Sequence, residues 1–172
     1  KTFNRLSSDD QAQVVVLTGQ GDKAFCAGGD LMDQGGGEGM LKMHEQRGQF
    51  ADLMLTMNEC ASPIISRVNG HALGGGLGLV LNSDLAVAST EAQLGTPEVK
   101  VGLFPMMILS VIQRNLGRKR AMEMILTGEK LEAREAEEIG MVNYAVEPDE
   151  LDDKVAELAG KIAGFSPAVL EL

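Results

Sequence analysis

The stretch Asn69-Gly70-His71-Ala72-Leu73-Gly74-Gly75-Gly76 follows the short segment Ile64 to Val68, β-branched at Ile64, Ile65 and Val68, and leads into Leu77, Leu79, Val80 and Leu81. The run before it is β-branched and short, which predicts a buried strand. The apolar segment after it is short enough to be a buried helix, and Asp84 to Ser89 reads as a further strand. Glycine between them permits positive φ and close approach of another backbone or a ligand. Strand, glycine turn, helix, strand is the wiring of a right-handed crossover layer, so the fold class is α/β.

Working outward, the same pattern stands earlier in the chain. Ala12 to Thr18 predicts a buried strand closed by Gly19-Gln20-Gly21, and Ala24-Phe25-Cys26-Ala27-Gly28-Gly29-Asp30 reads as a second glycine-rich loop. Gly35-Gly36-Gly37 is too flexible to be helix or strand, and Met43, Phe50, Leu53, Met54 and Met57 then recur at helical spacing towards Ser62-Pro63. Past the third strand, Ile108 to Asn115, Ala121 to Leu126, Ala133 to Ile139 and Leu151 to Phe165 have helical periodicity, broken by Gly117, Gly128, Gly140 and Pro148. No low-complexity linker divides the chain, so residues 1–172 are expected to form one domain.

Composition narrows the function. The chain has 172 residues, 44% of them hydrophobic, enough for one sizeable core. A formal net charge of -10, with no basic face, argues against nucleic acid and anionic membranes as partners. Cys26 and Cys60 match no metal-ligand spacing and are too few for a disulfide framework, so they read as reduced thiols. No apolar run approaches a bilayer span and the opening Lys1-Thr2-Phe3-Asn4-Arg5 lacks a signal's apolar core, so a cytoplasmic location is expected.

Two glycine turns at strand ends can each aim a backbone N–H at one point, and two such donors make an oxyanion hole, though glycine clusters also mark plain tight turns. Glu98, in Leu94-Gly95-Thr96-Pro97-Glu98-Val99, follows a proline in apolar sequence, where desolvation would raise its pKa and improve it as a base. Neither glycine cluster fits a nucleotide-binding loop. His44 and His71 lack a serine elbow or third partner and read as structural, and Cys26 as a small buried hydrophobe. The methionines from Met40 to Met57 suit a core, or a flexible acyl chain.

Four motifs in one order resemble those of the crotonase superfamily, the enoyl-CoA hydratase/isomerase family. Residues 24–30 resemble its A-F-C-A-G-x-D loop and residues 69–76 its N-G-x-A-x-G-G-G turn. Asp84-Leu85-Ala86-Val87-Ala88 resembles its D-[LI]-x-[VI]-A strand, and Gly95-Thr96-Pro97-Glu98 with Gly102 and Pro105 its P-E segment. The resemblance implies a spiral of stacked strand-strand-helix turns with a helical C-terminal part. It implies oxyanion donors at Gly29 and Gly75, a base at Glu98, and substrate contacts at Ala27, Gly28, Asp30, Leu31, Gly74, Gly78, Pro97, Leu103 and Met106. Substrates would be coenzyme A thioesters, with no further cofactor or metal, and the assembly a homotrimer or hexamer.

Departures from the pattern refine that expectation. The chain starts at what resembles the family's second helix and ends before its C-terminal helices, so the family's N-terminal strands and those helices are expected to be lacking. Hydratases of the family carry a first glutamate where Gly78 stands here, and dienoyl-isomerase and dehalogenase relatives an aspartate where Met106 stands. A single glutamate resembles the 3,2-enoyl-CoA isomerases. The alternatives are a hydratase, decarboxylase or thioesterase of the same fold, and a noncatalytic CoA-binding subunit.

Overall fold

The fold is described from a computed structural model over residues 2–7, 9, 11–29 and 37–166. In chain order it has α1 (Thr2–Ser7), β1 (Val15–Thr18), β2 (Ala24–Cys26), α2 (Gly37–Asn58), β3 (Ile64–Val68), β4 (His71–Leu73), α3 (Gly75–Leu81), β5 (Leu85–Ser89) and β6 (Gln93–Gly95). A 3-10 turn, Pro97–Val101, precedes α4 (Leu109–Thr127), β7 (Lys130–Glu132), α5 (Ala133–Glu138), β8 (Tyr144–Val146) and α6 (Leu151–Ala163).

From β1 to β6 successive strands alternate between two sheets; β7 then stays in the second sheet and β8 returns to the first. One has the order β1-β3-β5-β8, all parallel; the other has β2-β4-β6-β7, with only the last pair antiparallel. In the early repeats the chain lays one strand in the first sheet and one in the second, then adds helix, as β1-β2-α2 and β3-β4-α3. This is the expected α/β spiral of strand-strand-helix turns. Its central strand β3 pairs with β1 on one side and β5 on the other. Ile64, Ile65 and Val68 are essentially buried, each side chain contributing roughly 1.5–3 kcal/mol of transfer free energy.

Polar residues of the quoted stretches fix the layers. Asn69 Oδ1 accepts the Gly19 N–H at 3.0 Å and its Nδ2 donates to Gly21 O at 2.6 Å, which pins the loop leaving β1. Asp84 Oδ2 accepts the Ile64 N–H at 2.7 Å, tying the entry of β5 to β3. Asn143 Oδ1 accepts the Ala86 N–H at 2.8 Å on the far side of β5.

Several boundaries differ from the sequence reading. The first strand begins at Val15 rather than Ala12 and lies at a sheet edge, with Val16 43% exposed, so it is not buried. Ala24–Cys26 is a strand rather than loop, held by its parallel pairing to β4. Gly37 lies inside α2, which stops at Asn58, short of Ser62-Pro63. Gly75 and Gly76 belong to the first turn of α3 and only Gly74 stays outside it. The two helices read between Ile108 and Leu126 run on as α4, yet Gly117 keeps non-helical angles (φ 67, ψ 164) and kinks it where a break was expected.

Tight backbone contact explains why α3 opens with glycine. A Cβ at Gly76 would sit 2.0 Å from Cys26 O, a backbone atom with no freedom to move aside. Gly160 of α6 has nothing within 4 Å of the same position. Gly76→Ala should therefore cost about 2 kcal/mol or more, whereas Gly160→Ala should stabilise by about 0.5–1 kcal/mol through helix propensity. Chemical denaturation of both variants checks this, and a Gly76→Ala protein as stable as wild type would contradict the contact.

Candidate active site

The site is assembled where the two glycine turns meet. Gly28 follows β2 with φ +90, and Gly74 follows β4 with φ +55, conformations that L side chains rarely adopt. A Cβ at Gly28 would lie 3.5 Å from the Gly75 nitrogen and 3.8 Å from the Gly74 Cα. The turns after two neighbouring parallel strands thus touch backbone to backbone. Gly74 spends its N–H on Gly95 O at 2.9 Å, which anchors the turn to β6. Among the described residues, no acceptor takes the N–H of Gly75 or of Gly29.

Glu98 reaches the same point from the third repeat. Thr96, fully buried, and Pro97 at the start of the 3-10 turn fix the approach of the chain. The turn closes with Gly102 at φ 75, and Leu103 N–H donates to Glu98 O at 3.0 Å. The carboxylate lands against the glycine turn: a Cβ at Gly74 would be 2.7 Å from Glu98 Oε1. Glu98 Oε2 is buried and has no hydrogen-bond partner among the described residues. Burial pushes the carboxyl above its ordinary value, with the Glu98 backbone N–H acting in the opposite direction. A carboxyl with one buried, unpartnered oxygen against the Gly74 turn, next in sequence to the free Gly75 N–H, can take up a proton while such a donor holds a developing oxyanion.

The structure brings Gly28, Gly74, Gly75 and Glu98 together, with Pro97 behind the last. Gly29 and Ala27 are exposed at the end of β2, and Asp30 and Leu31 lie outside the described residues. Leu103 is half-buried, and Met106 is 64% exposed in an apolar surface segment with Val101, Phe104 and Met107. Gly78 is buried, and the space beside it is taken. His71 accepts the Gln93 N–H on Nδ1 at 3.1 Å, a structural role. Cys26 and Cys60 are free and half-buried.

Phe50 and Ile108, which the sequence marks only by helical periodicity, also reach the site. The Phe50 ring lies 3.5 Å from where a Cβ would stand at Gly75 and at Gly78, and Ile108 packs on Gly78. Their apolar periodicity marked them for burial but not for what they would touch. A separate cleft of about 200 Å³, lined by Met57, Cys60, Asn82, Asp84 and Arg114 among others, lies at the other end of α3 and shares none of these residues. No helix among the described residues is long and apolar enough to cross a membrane.

Comparison with known proteins bears on the family and the fold. The family model described as enoyl-CoA hydratase/isomerase matches residues 1–172. The chain is 33% identical over 176 residues to the short-chain-enoyl-CoA hydratase of Clostridium acetobutylicum, covering 99% of this chain and 65% of that protein. It is 39% identical over 165 residues to the (E)-benzylidenesuccinyl-CoA hydratase of Thauera aromatica, covering 95% and 63%. The solved enoyl-CoA hydratase from Bacillus anthracis superposes with a TM-score of 0.93 at 33% identity, covering 99% of this chain and 66% of that one. The chain therefore spans about two thirds of the length of these relatives.

The raised carboxyl of Glu98 has a consequence for stability. Its unfolded pKa is the lower one, so burial of the charge costs stability once pH rises above the ordinary carboxylate range and costs nothing below it. Glu98→Gln removes that cost. Thermal unfolding should find Glu98→Gln more stable than wild type near pH 7, with the gap closing below about pH 4. A gap independent of pH would contradict the desolvated environment.

Proposed function

The chain belongs to the enoyl-CoA hydratase/isomerase family, and we propose that it acts on enoyl-CoA thioesters by forming an enolate and moving one proton between two carbons. The observation that carries this reading is the unpartnered, buried oxygen of Glu98 set against the paired glycine turns. The thioester carbonyl oxygen would receive the N–H groups of Gly29 and Gly75, whose donors find no acceptor among the described residues. Glu98 would abstract a proton from the carbon between thioester and alkene, and the carbonyl would take the negative charge. The carboxyl would then return the proton to the far carbon of the allylic system, so substrate and product have equal mass. The coenzyme A thioester is the substrate, and the reaction needs no further cofactor.

Relatives named as hydratases favour a second reading, in which the enolate follows addition of water rather than loss of a proton. Water addition calls for a group to position the water. Glu98 is the carboxylate against the glycine turns, and Gly78 supplies no side chain. The isomerase reading therefore fits this site better. The exposed apolar segment with Val101, Phe104, Met106 and Met107 suits a surface covered in a homotrimer or hexamer. A cytoplasmic role in fatty acid metabolism completes the proposal.

Two variants test it. With a panel of 2- and 3-enoyl-CoA thioesters analysed by chromatography and mass spectrometry, the full-length protein should give a product of unchanged mass and new retention time. Glu98→Gln should lower that turnover by about 100- to 10,000-fold while thioester binding persists. Turnover near wild type in Glu98→Gln, or a product heavier by one water, would overturn the single-base reading. Gly75→Pro, which removes the N–H donor itself, should lose about 100-fold or more; full activity in a folded Gly75→Pro protein would exclude that donor.

A further inference from the structure

The glycine face of α3 is touched by three side chains in turn. Glu98 stands against Gly74, the Phe50 ring against Gly75 and Gly78, and Ile108 against Gly78. Positions 74 and 78 are one helical turn apart, as the Gly78 N–H to Gly74 O bond of 3.1 Å shows, so they share a face. A helical Cβ tilts towards the helix N-terminus, which aims any side chain at 78 back towards Glu98. That volume is occupied: a Cβ at Gly78 would lie 2.3 Å from Ile108 Cγ2 and 3.2 Å from Ile108 Cβ.

Ile108 cannot readily yield. It is 2% exposed, its branched Cβ restricts χ1, and it stands at the entry to α4, where the Ile112 N–H donates to its carbonyl at 3.0 Å. The segment that delivers Glu98 thus also delivers, ten residues on, the group that fills the space beside it. Phe50 closes the remaining side with an aromatic ring. The helix face next to Glu98 is apolar side chain on bare backbone, and no polar group can grow there while Ile108 is present.

We infer that Ile108 is a specificity-determining residue: by occupying the space beside Gly78 it keeps the Glu98 face of α3 free of a second acid and so directs the site to carbon-to-carbon proton transfer instead of water addition. The inference rests on Glu98 acting as the base. Its structural half is independent of that role, because it predicts a coupling between positions 78 and 108 that stability alone can read.

The test is a pair of substitution cycles in the full-length protein. Gly78→Ala should lower Tm by about 4 °C or more beside Ile108, yet leave Tm unchanged or raise it in an Ile108→Ala background, where alanine's helix propensity prevails. The same Tm change in both backgrounds would overturn the inference. In the second cycle, Gly78→Glu/Ile108→Ala should add water to a short 2-enoyl-CoA at least about tenfold faster than either single variant. A folded double variant no faster than the singles would overturn Ile108's control of the reaction. Gly78→Asp/Ile108→Ala repeats the comparison with a shorter acid. If neither acid folds in that background although Gly78→Ala does, the claim that Ile108 is what closes the space fails. Deuterium uptake from D2O by an acyl-CoA thioester, compared between wild type and Glu98→Gln, reports separately on the base. Uptake that survives in Glu98→Gln refutes the base assignment while leaving the Tm cycle to decide the coupling.

Discussion

The structure depends on backbone packed directly against backbone along the first turn of α3. Cys26 O approaches Gly76 so closely that no Cβ fits between them, and the Gly28 turn lies against Gly74 and Gly75. Side-chain packing ordinarily separates a helix from a neighbouring strand by the width of its residues, about 10 Å between axes or sheets. Here glycine removes that layer, and what remains is polar: N–H and C=O groups of two turns held within a few ångströms of each other. Such closeness is useful for chemistry because backbone donors fixed by the fold need no reorganisation when charge develops nearby.

The same constraint accounts for the electrostatics of Glu98. The 3-10 turn places its carboxylate on Gly74, where no side chain among the described residues offers a hydrogen bond to the buried Oε2. A structural carboxylate would be paired or solvated, as Glu147 is by Arg134 and Thr90. A buried acceptor without a partner costs free energy of the order of 1–3 kcal/mol, and a catalytic role or a bound water or ligand is what ordinarily accounts for one. The spiral wiring makes this arrangement possible, since β2, β4 and β6 lie side by side in one sheet and end in the first turn, the second turn and the approach to Glu98.

Much of this was legible in the sequence, for identifiable reasons. Ile64–Val68 is the strand its β-branched residues predict, and the next, expected from Asp84, starts at Leu85 because Asp84 itself turns its carboxylate to the Ile64 N–H of β3. The two glycine motifs and Glu98 could be named because four motifs in one order resemble those of a known family; taken singly, a glycine cluster or a Glu after Pro is ordinary. Three-residue strands such as Gln93–Gly95, Lys130–Glu132 and Tyr144–Val146 were not legible, since three residues show no period and owe their form to the partner strand. Ala24–Cys26 looked like loop because its glycine neighbours outweighed it. Phe50 and Ile108 were identified as apolar helix residues, but which backbone they cover is set by tertiary approach, and no local pattern encodes it.

In the function proposed above, the Gly29 and Gly75 N–H groups and the Glu98 carboxyl would meet at the carbonyl of a bound thioester. The most direct measurement is a crystal structure of the full-length protein with an unreactive enoyl-CoA analogue bound. The account predicts its carbonyl oxygen about 2.7–3.1 Å from the nitrogens of both Gly29 and Gly75, with a Glu98 oxygen beside the carbon that exchanges its proton. A thioester bound with its carbonyl directed away from those nitrogens, or with Glu98 turned out to solvent, would contradict it.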